Sequence, residues 1–504
     1  MVGVPRSRGC QLCVKRKVKC DEARPACQNC QRYGASCPGY DRALKFVSEK
    51  HQIRQRRPKA ATPQAVVPTP EKALAVRTAE GEEARERETR TAMLMCPSPD
   101  RGQFLGALLD RLRSSPSSDA VRLFAPWFTS ATGLRAGENL ALDSAVAALA
   151  LHLVGKSNGD EYVVRQSRHI YGRSLGALQR LLDHPVSWRQ SETLCATMAL
   201  CLFELFAGTV NTDSWMKHAS GVASLIQQRG SASYTDPWDR SMLRSFRPFI
   251  IMNAMFSDNE CFLARPSWQR VLLEPDPALE GEPKRVSAMF DEYLAHLAKV
   301  PAVLHHALAL REARARDVPV DPASVAALLR RATHLHGAFA GWFERRLRAY
   351  DEGPREVPSR DADSIFDTVL SYSSVWTGSL YMSFWATMLI LHMCLGQCGR
   401  PVDATETVVG YARNICRSVE FVADDLLGPY RVGYPVRVAY EAADLRTQLW
   451  LLAKLARFRR FYAATDPAGF PEPGRNELLP GMTEVSSSSA DGDASPSPPL
   501  SGIS

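Results

Sequence analysis

The stretch GCQLCVKRKVKCDEARPACQNCQRYGASCPGY, Gly9 to Tyr40, decides how the chain is read. It holds six cysteines, Cys10, Cys13, Cys20, Cys27, Cys30 and Cys37, spaced C-x2-C-x6-C-x6-C-x2-C-x6-C. The spacing is an internal duplication, since Cys10, Cys13 and Cys20 recur seventeen residues on as Cys27, Cys30 and Cys37. A closed structural zinc site takes four ligands, so the three thiolates of one half cannot complete it. Six thiolates can complete two zinc sites if two sulfurs are shared. The pseudo-symmetry makes Cys10 and Cys27, the first cysteine of each half, the natural bridging pair. Six thiolates around two Zn²⁺ leave a net charge that neighbouring Lys and Arg can balance.

The rest of the chain sets that cluster apart. Of 504 residues, 45% are hydrophobic and 23% charged, an ordinary globular composition. Residues 1–59 hold 15 Lys/Arg against 4 Asp/Glu, a net of +11, whereas the remaining 445 net −3. A small basic head on a near-neutral body suggests a polyanionic partner, usually nucleic acid. Met1 to Arg8 carries charge but no apolar run, so no secretory signal is expected. Thiols in a reducing compartment stay reduced, so clustered cysteines read as metal ligands rather than disulfides.

At these residues the sequence resembles the fungal zinc binuclear cluster transcription regulators. The resemblance rests on the six cysteines in register, the basic run VKRKVK between Cys13 and Cys20, and Pro25 in the central loop. It implies that Cys10, Cys13, Cys20 and Cys27 hold one zinc and that Cys10, Cys27, Cys30 and Cys37 hold the other. A short helix starting near Cys13 would lie in the DNA major groove, presenting Lys15, Arg16, Lys17 and Lys19. By the family's motif Lys17 is the main base reader, with Arg16 beside it, and the implied site is a CGG-type triplet. Val14 stands where most members carry an arginine that touches phosphate. The basic run and Arg54–Lys59 also fit nuclear-import signals.

After Tyr40 come a basic stretch, then Pro/Ala/Thr and mixed-charge segments. Leu44, Val47, Ile53, Leu74 and Val76, with prolines between, are too few for a coiled-coil seam. The reading is a flexible linker whose Arg54, Arg56 and Arg57 contact phosphate.

From about Gly102 to Tyr462 apolar residues recur at helical spacing. Tyr171, Leu175, Leu178 and Leu182 form one stripe, with Arg165, Arg168, Arg173 and Arg180 elsewhere on the helix. Leu194, Met198, Cys201 and Leu205 form another after an N-cap expected at Ser191. Trp215, Ala219, Val222 and Ile226 form a third, which Gly230 should end. Leu445, Leu449, Leu452 and Phe458 mark a late helix. The body also resembles the fungal-specific regulatory domain that follows such fingers. The carriers are YGRSLGALQRLL (Tyr171–Leu182), SETLCATMALCLFEL (Ser191–Leu205), WMKHASGVASLIQQRG (Trp215–Gly230) and FLARPSWQ (Phe262–Gln269). The resemblance implies a regulatory role, with a homodimer or a small-molecule effector as candidate partners.

Three motifs point elsewhere and fail on context. Gly172 to Gly176 (GRSLG) fits a nucleophile elbow, which needs a strand before its serine, but both flanks are helical. Ala150 to Ser157 (ALHLVGKS) fits a relaxed phosphate loop, yet lacks the first glycine and follows a helical stripe. Thr368 to Gly399 is uncharged and long enough to span a bilayer, but polar residues interrupt it and a core helix reads the same way. His334 and His336, or His305 and His306, make no metal box. Cys394 and Cys398, at i and i+4, are the pair to examine for thiol reactivity.

The expected architecture is mostly α. A two-zinc finger spans 1–40, a flexible linker 41–100, an all-α regulatory domain 101–465, and a disordered Ser/Pro-rich tail 466–504. The expected function is a nuclear, sequence-specific, double-stranded-DNA-binding regulator of RNA polymerase II transcription, not an enzyme and not a membrane protein. Control of a metabolic or secondary-metabolite gene cluster is the family's commonest use. The alternative is a ligand-sensing or protein-docking helical protein whose finger does not read DNA.

Overall fold

In a computed structural model the chain divides into two units, Met1–Ala84 and Arg85–Ser504. The described residues of the first are 12, 13, 16, 18, 20, 21, 27–34 and 37. Those of the second are 139–474, without 208–213, 258–259, 277–278, 400–404, 425–427, 460–461 and 463–464. The expected linker, residues 101–138 and the tail beyond 474 lie outside the described residues. The first unit's helix α1 is Gln28–Arg32.

The second unit is helical, and its caps show why. Helix α2, Leu140–Asn158, starts at Asn139, whose side-chain oxygen accepts the Ala141 and Leu142 N–H groups at 3.1 Å each. Gly159 ends it at φ 69°, a left-handed conformation that costs glycine little. Asp160 then caps α3, Glu161–Asp183, accepting from Tyr162 and Val163. The two helices approach closely because Gly155 has no side chain. A Cβ there would lie 2.9 Å from Val164 Cγ2. The expected stripe on α3 lies on its packed side, and its four arginines are exposed. The deepest positions, however, include the small residues Ser167, Ser174 and Ala177, which permit the close approach.

Helix α4, Ser191–Ala207, is buried on every side from Thr193 onward, so the amphipathic stripe expected there is too narrow. Ser191 is the first helical residue rather than the cap. Its hydroxyl donates to Asp239 Oδ2 at 2.9 Å instead. Helix α5, Ser214–Arg229, buries Trp215, Ala219, Val222 and Ile226 as expected, and Gly230 follows it at φ 81°. Arg229 grips Asp239 of α6, Pro237–Phe256, with two parallel hydrogen bonds of 3.1 and 3.2 Å. One carboxylate thereby ties three helices together.

Helices α7 (Pro266–Leu273), α8 (Gly281–Leu297), α9 (Val300–Ala315) and α10 (Pro322–Trp342) follow. Arg247 of α6 meets Asp291 of α8 at 2.6 Å, with side chains 3% and 7% exposed. A small antiparallel hairpin interrupts the helices: β1, Arg355–Pro358, pairs with β2, Thr368–Ser371, with Glu356 opposite Leu370. Arg417 holds it, donating to the Thr368 carbonyl at 3.0 Å and to Glu356 at 3.1 Å. The loop between the strands is pinned by Glu420, which accepts from Ser359 and the Arg360 N–H, and by Asp361 on Lys454.

The uncharged stretch beginning at Thr368 is therefore a strand followed by a helix. Helix α11, Val375–Gln397, packs against α9, α10, α12 (Thr405–Val422) and α13 (Gly428–Ala442). It is long and apolar enough to cross a membrane, as is α2, but 83% of its apolar window is buried inside the protein. In α14, Leu445–Phe458, the expected stripe is only partly right. Leu445 and Leu449 are about half exposed, and the buried face carries Gln448, Leu451, Lys454 and Leu455. Gln448 is satisfied by the Tyr440 carbonyl and Lys454 by Asp361, so polar partners admit these residues where apolar spacing alone would not.

Candidate metal centre and nucleic-acid interface

Within the first unit Leu12 and Cys13 are helical, where the short helix is expected to start at about Cys13. The Arg16 N–H donates to the Leu12 carbonyl at 2.9 Å, and the Val18 N–H to that of Cys13 at 3.1 Å. Helix α1 repeats the arrangement seventeen residues on, where the Tyr33 N–H donates to the Asn29 carbonyl at 3.2 Å. Gly34, at φ 72°, follows the helix, and its N–H donates to the Gln31 carbonyl. The duplication in the sequence thus recurs in the backbone, where the Arg16–Leu12 hydrogen bond has its counterpart in Tyr33–Asn29.

The cysteines converge between these two turns. Cys13, Cys20 and Cys27 form one group of ligand atoms, and Cys27, Cys30 and Cys37 a second, the sulfurs of each lying within 4.8 Å of one another. Cys27 is common to both. Cys13 Sγ and Cys27 Sγ are 3.7 Å apart. The edge of a tetrahedron with Zn–S bonds of about 2.3 Å is about 3.8 Å, so the spacing and the all-sulfur donor set fit zinc. Cys13, Cys27 and Cys30 are fully buried, and they form the first unit's own small core with Leu12, Cys20 and Cys37 packed against it. Cys27 also caps α1, its sulfur accepting the Cys30 N–H at 3.3 Å. A helix N-terminus favours negative charge and so favours the thiolate that a metal requires.

Cys10, the other expected bridging ligand, lies outside the described residues. So do Lys15, Lys17, Lys19, Arg54, Arg56 and Arg57. Arg16 is described, and its guanidinium carbon sits 3.4 Å from the centre of the Tyr33 ring. Asp21 accepts the Gln28 N–H at 3.0 Å, placing a carboxylate at the start of α1. Neither Tyr33 nor Asp21 was expected. The seventeen-residue repeat pairs Arg16 with Tyr33 and was the signal available for that contact.

The other motifs resolve as structure. Gly172 to Gly176 lies inside α3, and the buried Ser174 hydroxyl donates to the Ala141 carbonyl at 2.9 Å. Ala150 to Ser157 lies inside α2. His305 bonds the Met255 carbonyl, and His336 stacks edge-on to His392. Burial pushes the Cys394 thiol far up and raises that of Cys398, so neither supplies a reactive thiolate.

A basic segment built on a dense all-cysteine metal site, in a chain whose second unit is helical, defines a zinc-cluster protein. Residues 8–45 match the fungal Zn(2)-Cys(6) binuclear cluster domain, and residues 88–309 match the fungal specific transcription factor domain. The chain belongs to the fungal Zn(2)-Cys(6) transcription factor family, and its cofactor is the binuclear zinc cluster. Among curated proteins it is 30% identical over 131 residues to an uncharacterized protein of Emericella nidulans, covering 26% of this chain and 28% of that one. It is 59% identical over 34 residues to a Zn(2)-C6 fungal-type transcription factor of Aspergillus fumigatus, covering 7% and 9%. It is 43% identical over 74 residues to the aspercryptin biosynthesis cluster-specific transcription regulator of Emericella nidulans, covering 13% and 12%. The matches thus span less than a third of each relative's length. No solved structure matches the chain.

Proposed function

We propose that this protein is a nuclear, sequence-specific DNA-binding regulator of RNA polymerase II transcription, and not an enzyme. The observation that carries the reading is the sharing of Cys27 by two cysteine groups, one of which includes Cys13, whose carbonyl accepts the Val18 N–H. Metal binding and folding are one process in so small a unit, so zinc would determine whether the basic residues are displayed at all. All six cysteines act as ligands in this reading, with Cys10 completing both zinc sites. Lys17 and Arg16 read guanine O6 and N7 in a CGG-type triplet, and Lys15, Lys19, Arg54, Arg56 and Arg57 contact phosphate. The domain limits proposed are 1–40 for the finger, 41–100 for the linker, 101–465 for the regulatory body and 466–504 for the tail.

One relative is named as a biosynthesis cluster-specific regulator, which supports control of a metabolic or secondary-metabolite gene cluster. Homodimerisation through the helical body and a small-molecule effector belong to the same reading. The test is an electrophoretic mobility shift on CGG-containing duplex DNA. The full chain should bind with zinc, lose binding with a chelator and regain it on zinc addition. Binding should weaken steeply with salt, because phosphate contacts release counterions. Zinc-independent binding, or equal affinity for scrambled duplexes at every salt concentration, would contradict the proposal.

A further inference from the structure

We infer that Tyr33 is a positioning residue for base reading, holding the Arg16 guanidinium at a fixed orientation across the two halves of the finger. The inference rests on the DNA-binding reading above and adds to it a specificity-determining residue from outside the basic run.

The argument starts from the repeat. Arg16 and Tyr33 are equivalent positions seventeen residues apart, each the donor of the equivalent backbone hydrogen bond, to Leu12 and Asn29. They also touch, with Arg16 Cζ 3.4 Å from the Tyr33 ring centre. Pseudo-equivalent residues that touch must lie beside the axis relating the halves. A strict duplication would set two guanidiniums against each other there. With tyrosine in the second half the like-charge contact becomes an attractive cation–π contact.

At 3.4 Å there is no room for an N–H to point into the ring, so the guanidinium lies face to face with it. Stacking occupies the face and leaves the in-plane N–H donors directed outward. Those are the donors that make a bidentate contact with guanine O6 and N7. Tyr33 itself is well fixed, at the end of α1 just before left-handed Gly34, yet 59% of it is exposed. It adds little to the small sulfur core, so its contribution falls on Arg16. Holding a long flexible side chain before binding removes an ordering cost from binding and narrows the bases it accepts.

The experiment uses the full zinc-loaded chain and a random duplex pool. The sequence that the wild-type chain enriches serves as the probe. Tyr33→Leu should keep two zincs per chain, lose about two- to fivefold in affinity for that sequence, and flatten preference at one base pair, with scrambled DNA bound as before. Tyr33→Phe should restore both affinity and preference, because the ring remains. Arg16→Gln should flatten the same base pair, and adding Tyr33→Leu to it should cost nothing more. Equal losses on selected and scrambled DNA, or additive effects of the two changes, would overturn the inference while leaving DNA reading intact. Should Tyr33→Leu lose zinc, the Arg16→Gln and Tyr33→Phe profiles decide on their own, and flattening by Tyr33→Phe would overturn it. A pool in which the wild-type chain enriches nothing would overturn the DNA-binding reading and this inference together.

Discussion

Cys13 Sγ and Cys27 Sγ, from opposite halves of the repeat, lie 3.7 Å apart, the separation of two sulfurs on one tetrahedral zinc. Cys27 is the sulfur that also joins Cys30 and Cys37. Replacing it should therefore affect both metal sites. Cys27→Ala is expected to abolish zinc binding altogether, read as metal per chain by mass spectrometry. Retention of two zincs in that variant would remove Cys27 from the bridging position.

Lys17 should contribute specificity rather than general affinity. Lys17→Ala is expected to cost about 1–3 kcal/mol on the selected sequence and to relax preference at one triplet position. Competition assays with single-base variants give the measurement. Equal weakening on cognate and scrambled duplexes would reassign Lys17 to phosphate.

The Arg247–Asp291 pair joins α6 to α8 with almost no solvent contact. Removing one member strands a buried charge, so Arg247→Met or Asp291→Leu alone should destabilise the body by about 3–5 kcal/mol. The two changes together should cost much less, because the core then loses both charges. Denaturant midpoints of the three variants test this non-additivity.

His152 predicts an acid limb. It is fully buried, and its Nε2 lies 3.3 Å from the Phe206 carbonyl, which only accepts, so the proton sits on Nε2. Burial, reinforced by Lys156, pushes its pKa down from 6.5 to about 4. The unfolded chain therefore binds the extra proton first as the pH falls. The contribution of His152 is full above about pH 6.5 and declines as the pH drops towards about 4, by roughly 3 kcal/mol in all. His152→Leu should flatten stability against pH in that window. An unchanged slope would assign the acid limb to other groups.

The finger was readable from its sequence because metal ligands are counted by spacing, and spacing is covalent. The stripe on α5 was readable because Trp215, Ala219, Val222 and Ile226 face one way and the helix has a solvent side. Helix α4 defeated the same method, since a helix buried all round has no stripe to find. Leu445 and Leu449 misled it because Gln448 and Lys454 bury with polar partners that sit far away in the chain. The hairpin escaped notice because its strands have four residues each and are held by Arg417, sixty-one positions from Glu356. The Arg16–Tyr33 contact joins the two halves, and reading each half alone does not reveal it.

The buried, uncharged helix Val375–Gln397 has a consequence during synthesis. Its neighbours α9 and α10 precede it in the chain, whereas α12 and α13 follow it. It leaves the ribosome with one side covered and the other bare until some forty-five further residues have emerged. In that interval the chain carries a long apolar segment with one side bare, so correct folding depends on how promptly the last fifth of the chain is made.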